Sequence, residues 1–138
     1  MSEYNLNFRG YWTDAHTAGI PEVSGLYLVY RCTYDAEGVT LKELLYIGQA
    51  KDLRERINDH KKREQFLREC KEGETICYSV AEVPQKDLDV VENALIFAQK
   101  PRLNTQYKDS FEYESPVSLN LEGRCKLMNY VNFTINRA

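Results

Sequence analysis

The sequence predicts an α/β fold of the mixed (α+β) kind, in which a small, mostly antiparallel central sheet of about three strands is flanked by helices. Two apolar runs, residues 25–32 and 44–47, flank the turn-forming residues 35–38, and this pattern predicts a β-hairpin. Residues 76–80 alternate apolar and polar side chains and predict a third strand. Apolar residues recur with helical periodicity in two segments, residues 52–70 and 86–99.

Both ends of the chain predict further strands outside this core. Residues 4–8 alternate apolar and polar side chains, and residues 119–135 predict a terminal hairpin that pairs with the N-terminal strand. A chain of 138 residues can bury a core without staples, so we expect a single domain over residues 1–138. The expected core covers residues 22–106, and the terminal additions cover residues 1–21 and 107–138.

The predicted hairpin brings two tyrosines together. A turn centred in residues 35–38 places Tyr27 opposite Tyr46 and Val29 opposite Leu44. The two phenols then lie side by side on one face of the sheet.

The segment after the hairpin predicts a helix that adds two charged or titratable groups to this surface. Asp52 can cap the helix, with Glu55 completing a capping-box-like pair. Arg56 and His60 are four residues apart and therefore share one helical face. Residues 58–59 are poor helix formers and favour a break there. Two tyrosines, an arginine and a histidine converge on one surface, which we interpret as a functional site.

Composition limits how the chain can meet nucleic acid or a membrane. The net charge of −3 argues against coating nucleic acid by bulk electrostatics, so any contact must come from a local patch.

No apolar run is long enough to span a membrane, and the N-terminus lacks a basic-then-apolar signal, so we expect a cytoplasmic protein. The four cysteines lack metal-site spacing and are interpreted as reduced thiols. The candidate nucleic-acid contacts are Lys51, Lys61, Lys62 and Arg63.

Five elements in order carry a family resemblance. Gly25-Leu26-Tyr27, Tyr46-Ile47-Gly48, then Arg56, Glu92 and Asn104 resemble the GIY-YIG nuclease domain, with compatible spacing from residue 25 to about residue 104. Leu26 stands where that family usually has isoleucine, and the connection between the two tripeptides is longer than in most members. We therefore expect an insertion in the hairpin around residues 34–42.

The resemblance implies a metal-dependent DNA endonuclease that hydrolyses phosphodiester bonds with Mg²⁺ or Mn²⁺ bound at Glu92. It implies that Tyr46 is the general base and that Tyr27 orients the water or shares its proton. Arg56 would hold the scissile phosphate, and products would carry 5′-phosphate and 3′-hydroxyl ends. In some members a histidine at the place of His60 contacts the phosphate or relays protons, and a closing asparagine at the place of Asn104 ties a loop to the site. The implied site residues are Tyr27, Tyr46, Arg56, His60, Glu92 and Asn104.

The residues taken without the resemblance leave alternatives open. Two strand tyrosines also suit core packing. Glu92 also fits a solvent-facing stripe with Asp89, Asn93 and Gln99. A catalytically inactive nucleic-acid-binding or scaffold module of the same fold is the alternative function. The DNA substrate is not specified by the sequence, and a double-strand cut would require a homodimer or a protein partner.

Overall fold

The structure, a computed structural model, describes residues 2–136. Six strands form one sheet in the order β3-β2-β4-β1-β5-β6. The strands are β1 Ser2–Thr13, β2 Gly25–Asp35, β3 Gly38–Ala50, β4 Thr75–Glu82, β5 Val117–Gly123 and β6 Asn132–Ile135. The helices are α1 Leu53–Asn58, α2 Arg63–Arg68 and α3 Leu88–Gln99, with short 3₁₀ turns at Asp14–Gly19 and Gln85–Asp87.

The predicted mixed α+β class is confirmed, but the sheet is wider than the expected three strands. Strand β2 lies between β3 and β4 and pairs antiparallel with both, and β1 pairs antiparallel with β4. Strand β5 then joins β1 in parallel, and β6 pairs with β5 as a hairpin. The terminal strands therefore extend the central sheet instead of forming a separate layer.

The β2–β3 hairpin turns where the sequence predicts, but its predicted register is wrong beyond the first few pairs. Tyr27 pairs with Gly48 instead of Tyr46. Val29 pairs with Tyr46 instead of Leu44.

Two extra residues in β3 explain this shift. The pairing with β2 passes over Lys42 and Leu45, and the register slips by one residue at each of these irregularities. A slip of one residue would move a side chain to the opposite face of the sheet, whereas two slips restore the original face. Tyr27 and Tyr46 are consequently diagonal neighbours on the same face, so the predicted convergence survives the incorrect register.

The sheet packs helices on both faces. Alternate residues of β2 enter two separate apolar clusters: Leu26, Leu28 and Tyr30 face α3, while Tyr27 and Val29 face the side of α1 and α2. In the part of the chain that the structure describes, no helix is both long and apolar enough to cross a membrane.

The predicted helix over residues 52–70 is broken into α1 and α2. The Asp52 side chain accepts a hydrogen bond from the Glu55 backbone N–H and starts α1, as the sequence predicts. Helix α1 ends at Asn58, next to the predicted break. His60 therefore lies between the helices, and the expectation that Arg56 and His60 share one helical face is wrong.

Candidate active site

A cleft of about 770 Å³ opens where the end of β3, helix α1 and the segment after α1 meet. The residues that line this cleft include Tyr27, Tyr46, Gln49, Arg56, His60 and Lys62.

Three aromatic rings that line the cleft, those of Tyr27, Tyr46 and His60, form a cluster with the buried Phe66. The ring centroids of Tyr27 and Tyr46 are 6.3 Å apart, and the His60 ring meets both edge-on at 5.4 and 6.2 Å. Phe66 of α2 is fully buried and packs against Tyr46 and His60 at 5.3 and 5.1 Å. The buried phenylalanine thus fixes the two polar rings relative to each other.

Gly48 makes room for the first tyrosine. A Cβ atom at position 48 would lie 2.3 Å from Cζ and Oη of Tyr27, because the Tyr27 ring lies directly over this residue. Only glycine fits beneath the ring, which explains why glycine follows Tyr46-Ile47 in physical terms.

His60 joins this cluster to the loop after α1. Its Nδ1 accepts the backbone N–H of Lys62 at 3.0 Å, and its Nε2 lies 2.5 Å from Oη of Tyr27. Burial, together with the positive charges of Arg56 and Lys62, lowers the pKa of His60 to about 4. The imidazole is therefore neutral at pH 7.

Arg56 brings a permanent positive charge to the two phenols. It is exposed at the end of α1, and its Nη1 donates to the Gln49 carbonyl oxygen at 3.4 Å. Burial raises the pKa of both Tyr27 and Tyr46, and the Arg56 charge opposes that rise at each. The arginine is the group on this surface that favours a phenolate.

Glu92 lies behind the wall of the cleft, on α3. Its Oε1 accepts a hydrogen bond from Nε2 of Gln49 at 3.0 Å, and the same amide donates to Asp89 at 2.8 Å. Burial is the main cause that raises the pKa of Glu92, and the Asp89 charge adds to it. The Glu92 charge in turn raises the pKa of Tyr46. The Glu92 carboxylate, which is bound to Gln49, therefore affects the ionisation of Tyr46 through its charge.

Asn104 holds the backbone of the Tyr46-Ile47-Gly48 segment. Its side chain is buried, accepts the Ile47 N–H at 3.0 Å and donates to the Ile47 carbonyl at 2.9 Å. This amide reproduces both hydrogen bonds of a neighbouring strand at the outer edge of β3. The side chain therefore acts on the site through the backbone.

Replacing Asn104 with alanine is expected to lower the free energy of unfolding by about 2–4 kcal/mol, because two buried backbone groups each lose their partner. Asn104→Asp is the comparison variant: it can still accept the Ile47 N–H, but it loses the donor and places a carboxylate opposite the Ile47 carbonyl oxygen. Urea unfolding of both variants measures the effect. A loss below about 1 kcal/mol for Asn104→Ala would show that this contact does not support the β3 edge.

The comparisons with known proteins agree with this arrangement. The family profile described as the GIY-YIG catalytic domain matches residues 25–107, more than half of the chain. The chain belongs to the GIY-YIG family. It is also 34% identical over 107 residues to UvrABC system protein C of Hydrogenovibrio crunogenus, a match that covers 72% of this chain and 16% of that relative. No solved structure matches the chain significantly.

The GIY-YIG tripeptides and their partners therefore meet in space as the sequence indicates. Tyr27, Tyr46, Arg56 and His60 line one cleft, and Glu92 lies next to it behind Gln49. Both tyrosines line the cleft and also pack in the apolar cluster on this face of the sheet.

The basic residues divide into two groups. Lys51, Lys61 and Lys62 line the cleft, and the Lys62 ammonium lies 5.1 Å from the centroid of the Tyr46 ring. Arg63 instead donates through Nε to Asp14 at 3.1 Å, with a second contact between its guanidinium and the same carboxylate. Arg63 thus ties α2 to the turn after β1, and its charge is already paired.

Sequence reasoning missed how Gln49 and Phe66 serve the site. The sequence predicted no role for Gln49, whose amide binds Glu92 and Asp89. The expectation that Asn93 and Gln99 share a solvent-facing stripe with Glu92 is wrong, because both are buried. Asn93 binds the backbone of Ser110 and Glu112, and Gln99 binds that of residues 129–130.

A divalent ion would find a sparse set of ligands here. In the described part of the chain, no three histidine, cysteine, aspartate or glutamate side chains are grouped to hold a metal. Glu92 is half-buried beside the exposed Asp89, and a neutral amide is all that lies between their oxygens. One or two carboxylates completed by waters and a substrate phosphate suit Mg²⁺, so the residues fit a weak site that the substrate completes.

Proposed function

We propose that this chain is a DNA endonuclease that hydrolyses phosphodiester bonds with Mg²⁺ or Mn²⁺. The observation that carries the proposal is the meeting of two phenols, a guanidinium and an imidazole in one cleft, with a half-buried carboxylate behind it. Membership of a nuclease family supports the same chemistry. The proposed catalytic residues are Tyr27, Tyr46, Arg56, His60 and Glu92, with Asn104 supporting them.

Glu92 is the proposed metal ligand. A divalent ion bound there would offset the negative charge that builds up on the phosphoryl oxygens. Cancelling the Glu92 charge would also remove a repulsion that raises the pKa of Tyr46. Glu92 therefore couples occupancy of the site to the ionisation of the phenol.

Tyr46 is the proposed general base. A free phenol has a pKa of about 10, and burial raises the pKa of Tyr46 further. Arg56 lowers that pKa, and the Lys62 ammonium lies over the ring face. Tyr46 is also less buried than Tyr27, so a water molecule can reach its oxygen.

Arg56 is the proposed phosphate ligand. Its guanidinium is exposed at the cleft, and its bond to the Gln49 carbonyl is long at 3.4 Å. A planar, permanently charged fork can bind two phosphate oxygens at once, which lysine cannot do.

The proposed substrate is DNA, contacted outside the reacting phosphate by Lys51, Lys61 and Lys62. The net charge of −3 confines attraction for the phosphate backbone to this surface. We propose that residues 22–106 form the nuclease core of a cytoplasmic domain and that the terminal strands are additions to it. A homodimer or a protein partner would supply specificity and any second cut. The chain spans 16% of the length of its UvrABC relative, so the activity of that whole protein is not assigned to it.

A cleavage assay tests the proposal. The purified chain is incubated with supercoiled plasmid, branched DNA and single-stranded DNA, with Mg²⁺ or with a chelator, and products are resolved on gels. We expect cleavage of at least one substrate with Mg²⁺ and none with the chelator, with 5′-phosphate and 3′-hydroxyl ends.

Binding of these DNAs without cleavage at any Mg²⁺ or Mn²⁺ concentration would instead support an inactive nucleic-acid-binding module. Arg56→Ala is the matched variant in this assay. It is expected to reduce cleavage by about a hundredfold to a thousandfold, because the charge that stabilises the transition state is lost.

A further inference from the structure

We infer that His60 is held as the Nε2–H tautomer and donates to the Tyr27 phenol oxygen, so that Tyr27 directs its own proton at the cleft and serves as a hydrogen-bond donor, not as a base. The substrate that would receive this hydrogen bond is the phosphodiester of the proposed function. The tautomer itself is a property of the free protein.

Nδ1 of His60 accepts a hydrogen bond and is unprotonated. A backbone N–H is always a donor, and the Lys62 N–H points at Nδ1 of His60 at 3.0 Å. Nδ1 must therefore carry a lone pair. In a neutral imidazole the proton is then on Nε2, because the bond that one ring nitrogen makes sets the tautomer.

The tautomer sets the direction of the hydrogen bond between His60 and Tyr27. With its proton on Nε2, His60 donates across the 2.5 Å that separate Nε2 from Oη of Tyr27. The phenol oxygen is the acceptor in this pair. His60 cannot take the proton of Tyr27 unless it becomes an imidazolium, which burial and the nearby Arg56 and Lys62 charges disfavour.

Tyr27 keeps its own proton in this arrangement. The hydroxyl oxygen accepts from Nε2–H of His60, so the proton of Tyr27 needs a different acceptor. Among residues 2–136, the hydrogen bond of the Tyr27 hydroxyl is the one to His60, which is the donor in this tautomer. The remaining direction around the oxygen is the cleft, which Tyr27 helps to line.

Burial assigns the two phenols different tasks. Tyr27 is 1% exposed, and desolvation penalises its phenolate, so it keeps its proton at neutral pH. The donor from His60 polarises the phenol oxygen and makes the remaining O–H a stronger hydrogen-bond donor. Tyr46, which is only partly buried, is left as the group that takes up a proton. His60 is accordingly a positioning residue that acts through Tyr27.

Nitrogen NMR of the free protein tests the tautomer. The chain contains two histidines, so a His16→Gln variant with ¹⁵N-labelled histidine leaves one imidazole to observe. We expect a protonated Nε2 and an unprotonated Nδ1 at pH 7. A protonated Nδ1, or an imidazolium at this pH, would overturn the inference whether or not the chain cleaves DNA.

A fluorinated tyrosine tests the role of Tyr27. Incorporation of 3,5-difluorotyrosine lowers the phenol pKa without removing the hydroxyl. A fluorinated Tyr27 ionises at a lower pH and then no longer donates a hydrogen bond. We therefore expect the alkaline side of the pH–rate profile to move to lower pH. At position 46 we expect the acidic side to move to lower pH instead. The reverse pattern would make Tyr27 the base and overturn the inference, whereas a chain that cleaves no DNA would refute the proposed function alone.

Discussion

Replacing Glu92 with glutamine is expected to reduce Mg²⁺-dependent cleavage by at least about a thousandfold, because the variant keeps the shape of the side chain and removes its charge. The amide oxygen of glutamine can still accept the hydrogen bond that Gln49 donates to Glu92. The change therefore isolates the loss of the ionic metal ligand. Single-turnover cleavage at saturating enzyme measures it.

The same variant is expected to be as stable as the wild-type chain or more stable. The pKa of Glu92 is raised by burial and by Asp89, so its charged form is disfavoured in the folded state. A carboxyl group with a raised pKa reduces stability once the pH exceeds its unfolded-state pKa. Removing the charge removes that cost at pH 7. Urea unfolding of the wild-type and variant proteins tests whether stability is kept or raised while cleavage is lost.

Asp89→Asn is the matched control for Glu92→Gln. Asp89 is one helical turn earlier, accepts a bond from the same Gln49 amide and is exposed. We expect the cleavage rate of this variant to fall by less than about tenfold, because water screens the charge of an exposed carboxylate and weakens its interaction with a metal ion. Equal losses in the two variants would contradict the assignment of the ligand to Glu92.

Replacing Gly48 with alanine is expected to lower cleavage by about a hundredfold, because a displacement of about 1 Å at a reacting group has an effect of that size. The added methyl group would lie 2.3 Å from Oη of Tyr27, so the phenol ring must move away. Overpacking of this kind is expected to reduce the free energy of unfolding by about 1–3 kcal/mol. Cleavage rates and urea unfolding measure the two effects.

Gly38→Ala separates loss of stability from loss of function. Gly38 lies at the hairpin tip with a φ of +130°, and a Cβ there meets nothing within 4 Å. The substitution strains the backbone by about 1–3 kcal/mol but leaves the cleft untouched. We expect both variants to be destabilised and only Gly48→Ala to lose activity. Equal activity in both would show that the position of Tyr27 does not matter.

The sequence was sufficient for the parts of the fold that local patterns determine. The turn of the hairpin, the Asp52 cap and the break after Asn58 all follow from turn, capping and propensity preferences of neighbouring residues. The convergence of Tyr27 and Tyr46 was also correct, although the reasoning behind it assumed a regular ladder.

What the sequence did not reveal depends on contacts between distant residues. Nothing local marks Lys42 and Leu45 as the extra residues of β3, because a bulge is set by how two strands pack. The predicted pairing of the terminal hairpin with the N-terminal strand is confirmed, but the sequence did not show that β5 runs parallel to β1. The Arg63–Asp14 pair spans 49 residues, so a basic run at the start of α2 could not show that one member was already bound.

The sequence indicated which side chains lie close together better than it indicated how they are arranged. Periodicity placed Asn93 and Gln99 on the solvent side of α3, but irregular segments after the helix cover both amides and use them as hydrogen-bond partners. The helical spacing of Arg56 and His60 suggested a shared face, whereas the chain leaves the helix first. His60 reaches Tyr27 from the connecting segment, which gives it two defined partners.

The central claim is that a carboxylate behind Gln49 and a phenol in the cleft act on one phosphodiester bond with a divalent ion. The most direct measurement is the single-turnover cleavage rate of plasmid by wild-type protein and Glu92→Gln across a Mg²⁺ titration. The wild-type rate should rise with Mg²⁺ and saturate, while Glu92→Gln stays at the chelator background throughout. Cleavage by Glu92→Gln at the wild-type rate and Mg²⁺ dependence would contradict the account.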